Sequence, residues 1–213
     1  QVTRLVPDDI GTSIMSTTSD IQTVGVIGAG RMGQPIIGHL VRNGFAVVVH
    51  DIDEGKREAV VTLGAGWAAG PAELARGCDA ILVCVGYDQQ MRELVSAEGL
   101  LQKPPCATIV AVLSTVHPRT VRELAAVAMA FGVHVVDATV CRGGRAADEG
   151  TLLSFVGGDP EVVERLRPVV ACYATDIVHT GGVGTAQVAK AANNLVMWSC
   201  LIANHEALAL ATR

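Results

Sequence analysis

Five short apolar runs, separated by helix-length amphipathic stretches, constrain this chain more than any other feature of its sequence. The runs are residues 23–28 (TVGVIG), 46–51 (AVVVHD), 80–85 (AILVCV), 108–113 (TIVAVL) and 133–138 (VHVVDA). Helical stretches are expected between and after them at 31–43, 54–63, 71–77, 89–97 and 118–131. In the first of these, Met32, Ile36, Ile37, Leu40 and Val41 recur at the helical period and make one apolar face. Runs of Val and Ile without polar alternation are the signature of strands buried on both faces. Alternated with helices, they specify a parallel sheet with right-handed crossovers. The expected fold class is therefore α/β, a doubly wound and mainly parallel sheet.

Composition agrees and removes several classes of function. Half of the 213 residues are hydrophobic, 17% are charged and only 3% are aromatic, which suits a large core built from small, closely packed side chains. A net charge of −5 without a basic run argues against nucleic acid and against an anionic membrane surface. The most apolar stretch, Leu195 to Ala203, is nine residues long, too short to span a bilayer. The six cysteines form no C-x-x-C and stand at no metal-ligand spacing, so no metal site is expected, and a reducing, cytoplasmic setting fits them better than a disulfide framework. Residues 1–20 are polar, without the apolar segment of a signal peptide, and read as a flexible tail, with Met15 a candidate start.

Gly28-Ala29-Gly30-Arg31-Met32-Gly33 is a G-x-G-x-x-G placed directly after the first strand and opening the first helix. The first glycine permits a tight turn, the second lets backbone approach a pyrophosphate, and the third packs helix on strand. Free N–H groups and the positive helix end then hold phosphate. This makes the sheet Rossmann-type and makes Gly28, Gly30, Arg31, Met32 and Gly33 candidate cofactor-binding residues. Asp51, 18 positions after Gly33 at the end of the second strand, is the expected partner of the adenosine ribose hydroxyls. Capping the following helix is the other reading of Asp51. Asp53 and Glu54 add negative charge, and Arg57 is the one nearby cation that argues for a 2′-phosphate. NAD is favoured as cofactor over NADP on this ground.

Beyond Asp137 the rhythm changes. A glycine-containing segment at 142–150 leads to runs at 151–158 and 177–180 with a helix at 160–172 between them. From Thr185 to Arg213 the chain reads as one long helix, apolar nearly all round and so expected to be buried on several sides.

Three segments carry a resemblance. Leu113-Ser114-Thr115-Val116-His117-Pro118 is similar to an S-T-x-x-P segment. Asp137-Ala138-Thr139-Val140-Cys141-Arg142-Gly143-Gly144, followed by Gly150-Thr151-Leu152, is similar to a substrate signature D-x-P-V-S-G-G-x-x-G-x-x-x-G-T-L. The stretch from Gly181 to Asn194 resembles a G-x-G turn followed by K-x-x-N-N, here with five residues between Gly184 and Lys190. Together, from about Thr23 to the C-terminus, they resemble the β-hydroxyacid dehydrogenase family, whose type member is 3-hydroxyisobutyrate dehydrogenase and which is part of the 6-phosphogluconate dehydrogenase superfamily. The resemblance implies that Thr115 lies beside the nicotinamide end of the cofactor. It also implies that Val85, Gly86 and Gln90 contact cofactor, although all three differ from the family's residues there. Cys141, Arg142, Gly143 and Asn194 fall on substrate-binding positions, and Lys190 on the catalytic lysine. Proline has become Thr139, serine Cys141, and glycine both Arg142 and Ala146. Arg142 is open to two readings: a cation facing the substrate, or a side chain that points to solvent or pairs with Asp148 or Glu149. Lys190 and Asn194 are four apart and share a helix face.

The expected activity is hydride transfer between NAD(P) and a small β-hydroxyacid or its semialdehyde or keto form, with Lys190 as general acid and base. An imine reductase-like enzyme and a non-catalytic NAD(P)-binding module are the alternatives. The expected division is a tail at 1–20, a dinucleotide-binding domain at 21–182 and, at 183–213, an interdomain helix opening a truncated all-helical domain. Its apolar surface is expected to be covered in a homodimer or higher homo-oligomer.

Overall fold

A computed structural model of the chain describes residues 20–101 and 109–212. The expectations for the tail at 1–19, Cys106, the first residue of the fourth run and Arg213 lie outside the described residues.

Every expected run becomes a strand. In chain order the elements are β1 (Thr23–Ile27), α1 (Gly33–Arg42), β2 (Ala46–His50), α2 (Arg57–Thr62), β3 (Gly66–Trp67), α3 (Pro71–Gly77), β4 (Ala80–Val83), α4 (Asp88–Leu94), β5 (Ile109–Val112), α5 (Pro118–Met129), β6 (His134–Cys141), α6 (Gly143–Glu149), β7 (Leu152–Gly157), α7 (Pro160–Val170), β8 (Ala174–Gly181) and α8 (Thr185–Ala211), with a 3-10 turn at Glu54–Lys56. They form one sheet in the order β3-β2-β1-β4-β5-β6-β7-β8. Strands β1 to β6 are parallel, in the Rossmann arrangement of two halves that diverge from β1 and β4. All four residues of β4 and of β5 are buried, because helices cover both faces. One face packs on Ile36, Ile37 and Leu40 of α1 and Val162 and Leu166 of α7. The other packs on Leu74 of α3, Met91 of α4, and Val121 and Leu124 of α5.

Three features depart from expectation. Residues 143–149, read only as a glycine-containing segment, form the short helix α6, and β6 continues to Cys141 because β7 pairs along its far end. That pairing is antiparallel, and β8 then runs parallel to β7, so the last two strands oppose the first six. Finally, α8 is not buried on several sides. Only Ala186 and Gln187 are buried, and the apolar side chains from Leu195 to Leu210 are exposed among the described residues. The helix docks on β6, β7 and β8 through its first turns and then leaves the sheet. No helix among the described residues is long and apolar enough to cross a membrane.

Candidate functional site

Where the strand order reverses between β1 and β4, a crevice opens beyond the carboxyl ends of the strands. A cleft of about 730 Å³ occupies it, and Gly28, Gly30, Asp51, Val85, Gly86 and Gln90 all line it. Of the other expected cofactor residues, Arg31 and Met32 follow in the same turn, Gly33 opens α1, and Thr115 stands exposed beyond β5. The turn is shaped for close backbone approach. Gly28 has φ +100° and donates its N–H to the His50 carbonyl, and a Cβ there would fall on the carbonyl of Cys84. A Cβ on Gly33 would fall on the Gly28 carbonyl, whereas one on Gly30 would meet nothing within 4 Å. The cradle therefore fits a dinucleotide pyrophosphate: two glycines keep the turn tight and the third leaves its open face bare.

Asp51 is only 6% exposed. One oxygen accepts from the Ala29 N–H (2.7 Å) and from Lys56 Nζ (2.9 Å), and the other from the Asp53 N–H (2.9 Å). Burial alone would raise its pKa, but the Lys56 contact and the two backbone donors outweigh burial and hold it below the usual carboxylate value. The cation at this carboxylate is thus Lys56, not Arg57. The 3-10 turn Glu54–Lys56, capped by Asp53, folds Lys56 back onto Asp51. Gln90 is also engaged, since its side-chain oxygen accepts the Gly86 N–H at 3.0 Å. Cys84 lines the same cleft, with burial pushing its thiol up to about 11.

The substrate-signature residues gather at the top of β6. Buried Asp137, within β6, accepts from the backbone N–H of Gly184 (2.7 Å) and of Gln187 (2.9 Å), and so caps the first turn of α8. Burial nonetheless keeps its carboxyl above the ordinary value. One turn later Lys190, partly buried, points its Nζ at Cys141 Sγ, 3.7 Å away. Asn194, half-buried, lies a further turn along, and Gly143 is exposed next to Arg142. The Gln187 side chain, 1% exposed, accepts from the Val116 N–H (3.0 Å) and donates to the Ser114 carbonyl (2.8 Å). The loop that carries Thr115 is thereby tied to the helix that carries Lys190.

Arg142 is exposed to solvent, but its partner is neither Asp148 nor Glu149. Its guanidinium lies on Asp176 (2.7 Å), the Thr151 carbonyl and the Thr175 hydroxyl, while Asp148 pairs with Arg31 and Glu149 with Arg145. Among the described residues it is the only non-glycine with positive φ, +82°. The glycine of the resembling signature therefore stands where the backbone is left-handed. Arg142→Gly is expected to relieve about 1 kcal/mol of strain that Arg142→Ala retains. The ion pair lost in both variants is solvent-exposed and weak. Thermal denaturation should place the glycine variant roughly 2–4 °C above the alanine variant; equal midpoints would show that the conformation carries no strain.

Lys56, Asp137, Asp148 and Gln187 were not among the expected site residues. Asp148 holds Arg31 through two bonds (2.7 and 2.6 Å), joining the phosphate turn to α6. The one sequence signal for two of these is polarity inside apolar runs: Asp137 in VHVVDATV and Gln187 in AQVA.

Residues 23–182 match the NAD binding domain of 6-phosphogluconate dehydrogenase. A probable mitochondrial 3-hydroxyisobutyrate dehydrogenase of Dictyostelium discoideum is 33% identical over 92% of this chain and 62% of its own length. An NAD-dependent L-serine dehydrogenase of Pseudomonas aeruginosa is 32% identical over 89% of this chain and 64% of its own. Among solved structures, the Mycobacterium tuberculosis 3-hydroxyisobutyrate dehydrogenase with L-serine superposes with a TM-score of 0.82 at 30% identity, covering 90% of this chain and 65% of that one. The chain thus spans a little over three-fifths of the length of these relatives.

Proposed function

Because this chain belongs to the 6-phosphogluconate dehydrogenase NAD-binding family, with 3-hydroxyisobutyrate dehydrogenases and related β-hydroxyacid dehydrogenases as its relatives, we propose that it forms the dinucleotide-binding part and the catalytic edge of an NAD-dependent dehydrogenase acting on a small β-hydroxyacid. The observation that carries this reading is the docking of the α8 N-terminus on Asp137. It brings Lys190 to the top of β6, on the same edge of the sheet as the glycine turn.

Gly28, Gly30 and Gly33 shape the turn that takes the pyrophosphate, Asp51 stands at the ribose end, and Val85, Gly86 and Gln90 form the opposite wall. When bound, the dinucleotide supplies or accepts the hydride. Lys190 donates a proton to the substrate carbonyl oxygen in reduction and takes one from the hydroxyl in oxidation. Cys141, Gly143 and Asn194 surround that oxygen and the carboxylate, and Thr115 orients the nicotinamide end. Arg142 meets a second anionic group on the substrate only if it leaves Asp176. Residues 21–182 form the dinucleotide unit, and the helix within 183–213 offers its exposed apolar side chains to further polypeptide of the working protein.

Titration with NADH and NADPH, followed by a screen of 3-hydroxyacids including serine, tests this reading. NADH is expected to bind more tightly. Asp51→Asn, which removes the charge but keeps an acceptor for Ala29, should narrow the preference about tenfold. Tighter NADPH binding by the unaltered protein overturns the cofactor assignment. Dinucleotide binding without turnover of any hydroxyacid by the working protein overturns the enzyme and leaves a nucleotide-binding module.

A further inference from the structure

Gln187 lies between two features that the proposed chemistry needs in fixed relation. Its side-chain amide spans a single residue of the loop after β5. It donates to the carbonyl of Ser114 and accepts the N–H of Val116, so Thr115 is held from both flanking peptides while its own side chain stays exposed. Its backbone N–H is fixed by Asp137, and Lys190 follows three residues later on the same helix. The connection also continues toward the cofactor cleft. Ser114 Oγ accepts the N–H of Val85, a residue of the cleft wall, at 2.8 Å. A buried amide with both functions satisfied, joining the loop after β5 to α8, is a strongly directional contact.

We propose that Gln187 is a positioning residue for the reaction: it sets the distance between the Thr115 loop and Lys190, and couples both to the cleft wall at Val85. The inference rests on the dehydrogenase reading above for its consequence in catalysis, but not for its geometry. Both ends of the amide are required. A group that accepts from Val116 without donating to Ser114 would hold one side of Thr115 and repel the other. Misplacement of a reacting group by about 1 Å typically costs on the order of 100-fold in rate.

The decisive variant is Gln187→Glu. Ionised, its carboxylate accepts from Val116 but faces the Ser114 carbonyl without a proton to give. Protonated, it regains a donor and restores both bonds. At pH 8 turnover should fall about 10- to 100-fold with NADH affinity unchanged within threefold, and it should recover toward the unaltered protein as pH is lowered to about 5.5. Hydrogen–deuterium exchange over residues 114–117 supplies a readout independent of activity: faster than the unaltered protein at pH 8, equal to it at pH 5.5. Asp137 on β6, Lys190 on α8 and His117 in the loop are present in both proteins, so each variant value is referred to the unaltered protein at the same pH. Gln187→Met, which removes both bonds, should lose rate and protection at every pH.

Full turnover in Gln187→Met, exchange in Gln187→Glu that does not change with pH, or loss of the folded state in Gln187→Glu at both pH values would each overturn the proposal. The last outcome would make the side chain a packing element alone. If no hydroxyacid is turned over while the exchange pattern appears as described, the dehydrogenase reading fails and the positioning contact stands.

Discussion

Replacing Lys190 by alanine is expected to lower turnover about 10²–10⁴-fold while leaving dinucleotide affinity unchanged. The separation follows from where the groups sit. The cleft beyond β1 and β4 is lined by the glycine turn, Asp51, Lys56 and the Val85–Gln90 segment, and Lys190 is not among its lining residues. Its Nζ instead faces Cys141 at the end of β6, on a helix whose first turn is fixed by Asp137. Removing the ammonium therefore removes a proton donor and acceptor at the substrate end without touching the phosphate cradle. Lys190→Arg sharpens the test, because a guanidinium keeps the charge but does not release its proton near neutrality. It should lose nearly as much rate as alanine. Steady-state kinetics with the hydroxyacid found by screening, beside NADH fluorescence titration, gives both quantities. Near-normal turnover in the alanine variant would move proton transfer to another group.

What the sequence made legible, and what it hid, follows from how local each signal is. Strands β1, β4, β5 and β6 stand out as Val/Ile runs because both their faces are buried, and burial writes itself residue by residue; β2 stands out too, although only Val47 and Val49 of it are buried. Strand β3 is two residues, Gly66–Trp67, too short to show any period. Helix α6 opens on two glycines and spans seven residues, so its propensity argues against it. It is held by tertiary contacts instead: Arg31 on Asp148, and His39 on the carbonyls of Ala147 and Asp148. The antiparallel turn of β7 is likewise a matter of how the chain returns after α6, which residue type does not encode.

At the site the same division holds. The glycine turn and the position of Asp51 follow from spacing alone, because neighbouring residues do the work. The partners do not. Asp176 lies 34 positions after Arg142, and Gln187 reaches Ser114 across 73. Lys56 is close in sequence to Asp51, yet spacing does not distinguish it from Arg57, because which of two adjacent side chains folds back depends on the 3-10 turn at Glu54–Lys56.

The three glycines of the cradle should separate stability from binding. A Cβ on Gly33 would overlap the carbonyl oxygen of Gly28 and lie 3.0 Å from its carbon, and both atoms are backbone of the turn itself. No side chain can rotate to make room, so Gly33→Ala must open the turn or tilt α1 away from β1. Overpacking of this kind costs about 3 kcal/mol, and for a domain of this size that lowers the midpoint of thermal unfolding by roughly 6–12 °C. Gly30 is the reverse case. A Cβ there meets no protein atom within 4 Å, and its φ is not left-handed, so Gly30→Ala should unfold within about 1 °C of the unaltered protein. The methyl would stand on the open face of the cradle, where the backbone must approach the pyrophosphate, and NADH binding should weaken at least tenfold, about 1.4 kcal/mol. Calorimetry and NADH titration on the two variants decide the matter. An unchanged melting midpoint in Gly33→Ala, or unchanged NADH affinity in Gly30→Ala, would mean that the turn does not hold the phosphates in the way its glycines indicate.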